Sequence, residues 1–363
     1  MKPIARLFNI EGTPVHVTRY GEGHINDTYL VTCRNPGRRY ILQRINDRVF
    51  KDIDGLMDNY ARVTDHLRMV RDTTTSNVDT VLELIRTTRG DVCLHHELGH
   101  FRMLGFISDS VTLQKATSPH IMELSGEAFG DFQNMLATFD ASSLGETIKD
   151  FHHTPKRVHA LKEAIRKSPK DRLDKATHLF EDALSYEQKA SVIQDALIDG
   201  TVPLRVTHND TKLNNLLFRE DLSGVACVID LDTIMPGSML YDFGDAIRFG
   251  CNHAVEDDPD NDHIAFDLSL FEAYSRGFMR ALRHAMTERE KNLLVDGAFL
   301  MTYEVGIRFL TDYLEGDVYF RTSRPGHNLD RATNQLTLHR MMRDKEADMR
   351  KTIDRLWKEI RDA

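Results

Sequence analysis

Apart from one short stretch, strand-like text is confined to the first 107 of 363 residues, and the rest is written mostly at helical spacing. Residues 15–45 alternate in the β manner, as VHVTRYGEGHINDTYLVTC and RRYILQRI, around a turn at Asn35-Pro36-Gly37. A helix is predicted over 49–70, where Phe50, Ile53, Leu56, Met57, Tyr60, Val63 and Leu67 recur at helical spacing. Strand text resumes from Val81 to Ile107, broken at Gly90-Asp91. Residues 124–139 read as a buried helix and 156–199 as a charged helical stretch, with further helices over 264–316 and 329–361. The expected fold is α+β, with a small antiparallel-sheet N-terminal lobe at 1–107 and a large helical C-terminal lobe at 108–363.

The exception, residues 204–234, carries the chemistry. An apolar strand runs into His208-Asn209-Asp210, and Asn215, five residues on, opens a second strand to Phe218. This is the H-x-D-x-x-x-x-N loop of phosphoryl-transfer enzymes. Its Asp must orient the attacking hydroxyl and accept its proton, and its Asn must reach a metal ion on the nucleotide phosphates. A turn at Asp221-Leu-Ser-Gly224 and an apolar strand then lead to Asp230 and Asp232. The hairpin returns Asp230 beside Asn215, where a second oxygen ligand for Mg2+ is required, with Asp232 as a further candidate.

A phosphate-covering loop belongs in the N-terminal sheet. Tyr20-Gly-Glu-Gly-His-Ile-Asn26 lies between two strand-like runs, and glycine lets backbone approach phosphate with no Cβ in the way. Alone, G-x-G reads as a hairpin turn. Ahead of a catalytic loop it makes Gly21, Gly23, Ile25 and Asn26 the nucleotide candidates.

Five segments together resemble the aminoglycoside phosphotransferase and choline kinase superfamily, and within it the N-acetylhexosamine 1-kinases. They are GEGHINDTYL, YILQRIN, THNDTKLNNLLF, VIDLDTIMPGSMLYDFGDAIR and YEVGIRFLTDYLEGDVYF, spread from residue 20 to 320. The resemblance implies a bilobal protein-kinase-like fold and ATP as donor with Mg2+. It further implies Asp210 as base, Asn215 and Asp230 as metal ligands, and His24, Arg308 and Tyr319 as sugar contacts. The acceptor it implies is the anomeric hydroxyl of an N-acetylhexosamine. Tyr303 and Asp312 are acceptor candidates on the same expected helix, Asp312 sharing a face with Arg308 at i and i+4, while Ile307, Leu310 and Leu314 form the packing face. One departure stands out. Where protein kinases carry a lysine on the third strand, this chain reads Tyr40-Ile-Leu-Gln-Arg-Ile-Asn46. Arg44 or Gln43 is left for that work, on opposite faces of the strand; Arg44 is the candidate.

A net charge of −9 argues against nucleic acid as partner. No run approaches membrane-spanning length and no signal-peptide core is present, so a cytoplasmic protein is expected. The four cysteines stand apart, with no CxxC spacing, and are expected to be free. His96-Glu-Leu-Gly-His100 spells a zinc-protease motif, but in strand text its histidines lie about 13 Å apart at roughly 3.3 Å per residue. Asp242-Phe-Gly is read as a helix N-cap that steadies the site from behind, with Asp230 as the metal carboxylate. His152-His153 and the acidic run 256–262 are read as solvated loops, and Trp357 as part of a packing stripe. Two rival functions remain: a kinase of an amino alcohol or aminoglycoside, and a nucleotide-binding scaffold without turnover.

Overall fold

Alternation in the first hundred residues builds a two-faced sheet. The computed structural model describes residues 1–21, 25–71 and 76–362. A short helix α1 (Lys2–Ala5) precedes β1 (Thr13–Arg19), β2 (Asp27–Arg34) and β3 (Arg39–Ile45). Helix α2 (Ile53–Arg71) follows, then β4 (Leu84–Ile85), β5 (Leu94–His96) and β6 (Gly99–Gly105). The strands form an antiparallel sheet in the order β1-β2-β3-β6-β4, with β5 on β6. Leu42, Phe101 and Met103 fill its outer core with Ile4 and Phe8, and Ile45 and Leu104 face the main core. Gln43 stands opposite Arg102 on β6, on that inward face. The H-E-x-x-H stretch is the turn of the β5–β6 hairpin, with His96 opposite Gly99 and His95 opposite His100, so the spacing of about 13 Å expected along a single strand is corrected.

From β7 (Ser110–Val111) onward helices dominate. They are α3 (Pro119–Met135), α4 (Thr154–Lys167), α5 (Lys170–Ser185) and α6 (Val192–Ile198). The catalytic frame β8 (Arg205–Thr207), β9 (Leu216–Arg219), β10 (Val225–Val228) and β11 (Met235–Gly237) comes next. Helices α7 (Met239–Gly250), α8 (Leu268–Ala281), α9 (Glu288–Glu315), α10 (His327–Asp344) and α11 (Glu346–Asp362) complete the chain. The stretch expected as one charged helical run, 156–199, is three helices. Pro169 cannot continue a helix from the preceding residue, and Ser168 is extended accordingly. Helix α3 starts earlier than its apolar spacing suggests, because Ser118 caps it and Pro119 occupies its first turn.

Helix α9 is the central post. Thr287 and Glu290 cap it reciprocally, and its residues 297–307 are buried on every face between α4, α7 and α10. Helices α3 and α8 pack backbone to backbone, since a Cβ on Gly126 would lie 2.1 Å from the Tyr274 carbonyl oxygen. One on Gly277 would lie 2.1 Å from that of Glu123. Trp357 packs with Met349, Ile353 and Leu356 as the stripe predicted. All four cysteines are buried and free. Among the described residues no helix is long and apolar enough to cross a membrane.

Tyr303 belongs to this core. Its hydroxyl donates to the Ala183 carbonyl oxygen at 2.6 Å and its ring meets Tyr186 and His339, so the acceptor role expected for it is corrected to a packing one. His339 sits among Tyr186, Phe299 and Tyr303, and burial lowers its pKa from 6.5 to about 3. A buried neutral histidine stabilises fully above its unfolded value and loses that share as pH falls from 6.5 toward 3. Each pH unit in that window costs about 1.4 kcal/mol through this one residue. His339→Leu is therefore expected to flatten the fall in stability between about pH 6 and 4, read by urea titration; an unchanged slope would remove His339 from the acid response.

Candidate active site

The catalytic loop is pinned before it can act. The His208 ring is fully buried with its edge near Phe129 and Phe132, and its Nε2 donates to the Ile229 carbonyl oxygen at 2.9 Å. Its Nδ1 is thereby left to accept the Asp210 backbone N–H at 3.3 Å. Asn209 is left-handed, at φ 64°, and donates to the Thr207 and Thr233 carbonyl oxygens. The Asp242 carboxylate accepts the backbone N–H of His208 at 3.0 Å and of Asn209 at 2.7 Å. It also accepts from Gln133 Nε2 at 2.6 Å. Asp242 thus braces the loop from behind as expected, but the N-cap of α7 is Ser238.

Asp210 projects from this frame with 28% of its side chain exposed. Lys212 Nζ lies 3.2 Å from Oδ1, and Asn215 Nδ2 donates to Oδ2 at 3.0 Å and to the Asp210 carbonyl oxygen at 2.7 Å. Burial opposes its charge, but Lys212 and these hydrogen bonds prevail and hold the carboxyl below its usual value. The charge of Asp210 in turn holds the Lys212 ammonium well above its usual range. Lys212, two residues after the base, is a site residue that the motif alone does not reveal.

The hairpin brings Asp230 to Asn215, for the Ile229 backbone N–H donates to the Asn215 carbonyl oxygen at 2.9 Å where β10 ends. Asp230 itself is left-handed, at φ 63°, and exposed to the cleft. Desolvation by the surrounding protein, with the charges of Asp232 and Asp210, pushes its carboxyl up to about 7 against the pull of Arg102 and Lys212. Among the described residues it has no ion pair or hydrogen bond. The amide nitrogen of Asn215 is spent on Asp210, and its oxygen has no donor among the described residues. An unpaired carboxylate and a free amide oxygen, beside two further acids, are the hard donors that magnesium takes. Among the described residues no three His, Cys, Asp or Glu side chains form a metal cage of their own. That suits an ion whose remaining ligands are phosphate and water.

Asp232 is corrected. It is buried, Arg102 holds its Oδ1, and Asn26 Nδ2 donates to its Oδ2 at 2.5 Å, so both oxygens are occupied. Arg44 is corrected as well: it lies on the exposed outer face of β3, paired with Asp27 at 3.7 Å, while Gln43 takes the inward face. Gly21 has φ 74° with open space where a Cβ would stand, and Ile25 is exposed, its carbonyl oxygen accepting from Asn46 Nδ2 at 3.1 Å. Gly23 and His24 lie outside the described residues.

A second cluster lies at the C-terminal end of α9. Arg308 is half-buried, with its guanidinium 5.2 Å from the Phe151 ring centre and 5.5 Å from that of Phe320. Among the described residues it has no ion pair and no hydrogen-bond partner, though its charge reaches the buried Glu304. Tyr319 is exposed and meets Phe320 edge-on at 4.8 Å. Ile307, Leu310 and Leu314 are buried as expected. Asp312 does not share Arg308's surface. It is buried and accepts the backbone N–H groups of Val318, Tyr319 and Phe320 at 2.7–2.9 Å, shaping the turn that carries Tyr319. Its acceptor role is corrected to that of a brace. His152, expected in a solvated loop, is buried, with Nδ1 2.9 Å from Glu304 on α9. Arg157 was not legible in the sequence. Burial and the nearby Arg308 charge lower its pKa, and its buried Nε has no partner among the described residues. In the acidic run, Glu256 pairs with Arg248, and Asp257 with Arg331 and His327.

Comparison with known proteins agrees with this geometry. The profile described as the phosphotransferase enzyme family matches residues 16–285. An aminoglycoside phosphotransferase from Alicyclobacillus acidocaldarius is similar in structure, with a TM-score of 0.64, 14% identity, and 93% of this chain and 92% of that one covered. A microcompartment-associated aminopropanol kinase gives a TM-score of 0.60 at 14% identity, covering 96% and 98%. A spectinomycin phosphotransferase solved with ADP and spectinomycin gives 0.57 at 10% identity, covering 94% and 97%. At these identities the likeness establishes the two-lobed kinase-like fold.

Proposed function

The chain belongs to the phosphotransferase enzyme family, and from that premise we propose that it transfers a phosphoryl group from ATP to the anomeric hydroxyl of an N-acetylhexosamine. The observation that carries the acceptor class is Arg308, a half-buried guanidinium between two aromatic rings, with no partner of its own among the described residues. Arg157 stands near it with a buried, unpartnered Nε. Glu304, an acid whose charge reaches both, is already taken up by His152 and Thr154. Two cations without a free carboxylate suit hydroxyl and amide oxygens and repel an ammonium group. The acids that an amino alcohol would need, Glu256 and Asp257, are held by arginines.

Phosphoryl transfer asks mainly for positioning and charge neutralisation. When bound, magnesium would draw charge from the transferred phosphoryl group, held by the Asn215 amide oxygen and Asp230. Asp210 orients the acceptor hydroxyl and accepts its proton. An anomeric hydroxyl is more acidic than an ordinary alcohol, which suits a carboxyl held below its usual pKa. Lys212 keeps that carboxyl ionised and places a positive charge beside the transfer.

The test is kcat/KM on N-acetylglucosamine, N-acetylgalactosamine, aminopropanol, choline and an aminoglycoside. Turnover of either sugar is expected to exceed that of the amines. Arg308→Ala should lower sugar kcat/KM roughly ten- to a hundred-fold, the worth of one charge-assisted hydrogen bond, with ATP affinity unchanged. Turnover of an amine and of neither sugar would transfer the assignment to the amino-alcohol class.

A further inference from the structure

The third strand lacks a lysine, and the inward face of the sheet supplies a different cation. Arg102 on β6 is 1% exposed. Its Nε donates to Gln43 Oε1 at 2.8 Å, its Nη1 to Asp232, and its guanidinium carbon lies 4.5 Å from the centre of the Tyr60 ring. The second oxygen of Asp232 accepts from Asn26 at 2.5 Å. Asn26 Oδ1 accepts the Asn46 backbone N–H at 3.0 Å, and Asn46 Nδ2 returns to the Ile25 carbonyl oxygen. Asp232 lies in the short turn after β10 that begins at Asp230; Arg102, Gln43, Asn26 and Asn46 belong to the N-terminal lobe. One carboxylate is therefore gripped from two directions, by the sheet and by the end of the glycine loop.

We propose that Arg102 is a positioning residue for phosphoryl transfer, and that Asp232 is its anchor rather than a metal ligand. The pair sets the sheet and the Ile25-Asn26 segment at a fixed distance from Asp230. Packing alone does not call for this arrangement, because a buried ion pair is often matched in stability by apolar residues of equal volume. An aliphatic side chain at 102 would have no grip on the opposite lobe. Gln43, on the inward face of the third strand, holds the Arg102 fork in plane, and Tyr60 supports its face.

This inference rests on the phosphotransferase reading and is independent of the acceptor, so a wrong acceptor leaves its test untouched. The experiment measures calorimetric binding of a non-hydrolysable ATP analogue across a Mg2+ titration, with thermal melts of each ligand-free protein. The proteins are wild type, Arg102→Gln, Arg102→Lys, Asp232→Asn, Arg102→Gln/Asp232→Asn and Asp230→Asn. Arg102→Gln and Asp232→Asn should each weaken analogue binding at saturating Mg2+ by about tenfold, and the double variant should be no weaker than the worse single one. Arg102→Lys keeps the charge without the fork and should fall between wild type and Arg102→Gln. The Mg2+ concentration for half-saturation should rise in Asp230→Asn and stay near wild type in Asp232→Asn. A Mg2+ requirement raised in Asp232→Asn, with full affinity recovered at saturation, would make Asp232 a metal ligand and overturn the proposal. Analogue binding equal to wild type in variants that only melt earlier would reduce the pair to packing. Should Arg102→Gln fail to fold, the near-isosteric Asp232→Asn separates the same outcomes. A wild-type protein that binds no analogue would reject the nucleotide-dependent reading before any variant is compared.

Discussion

Asp210→Asn is expected to lower kcat by about 10²–10⁴-fold, the usual worth of a positioned general base, while ATP affinity stays within a few-fold of wild type. Asparagine keeps the shape and the hydrogen bond to Asn215 but cannot take a proton from the acceptor. The carboxyl of Asp210 is held below its usual value, so wild-type kcat should show no loss from this group until the pH falls below the ordinary carboxylate range. Lys212→Met should raise that limb toward neutrality by withdrawing the nearest cation. Retention of more than about a tenth of wild-type turnover in Asp210→Asn would remove the base assignment.

Asp242→Ala should be the most destabilising single change near the cleft, by about 3–5 kcal/mol. It strands the backbone N–H groups of His208 and Asn209 together with the Gln133 amide, all buried. Burial raises the Asp242 pKa, so the carboxylate is itself costly, and part of the loss is offset when it is removed. Denaturant titration gives the stability, and analogue binding at several Mg2+ concentrations gives the metal response. A large stability loss with an unchanged Mg2+ requirement is expected. The reverse pattern, a small loss of stability and a steep Mg2+ requirement, would make Asp242 the metal carboxylate in place of Asp230.

The catalytic hairpin was legible because local chemistry dictates it. A turn at 221–224 between two apolar strands leaves Asp230 nowhere to go but beside Asn215. The helices were legible where periodicity is strong, as at α2, and their ends were not, because Ser118 and Pro169 act through capping and backbone geometry, and the range 264–316 is divided into α8 and α9. Partners distant in sequence were hidden. Nothing local marks Arg102 as the holder of Asp232, 130 residues away, or Glu304 as the partner of His152. Tyr303 and Asp312 misled for a related reason. Helical spacing places them relative to Arg308, but α9 is buried on most sides, so sharing a helix with Arg308 does not mean sharing its surface.

The glycine contact between α3 and α8 reaches further than its position suggests. Helix α3 carries Phe129, Phe132 and Gln133, which meet His208 and Asp242, so the depth at which α3 seats against α8 sets where the catalytic loop rests. A single methyl group at Gly126 or Gly277 would collide with a carbonyl oxygen at 2.1 Å and wedge the two helices apart. Variants that silence this enzyme should therefore map to a second region, on the far side of α3 from the cleft, where no residue touches substrate.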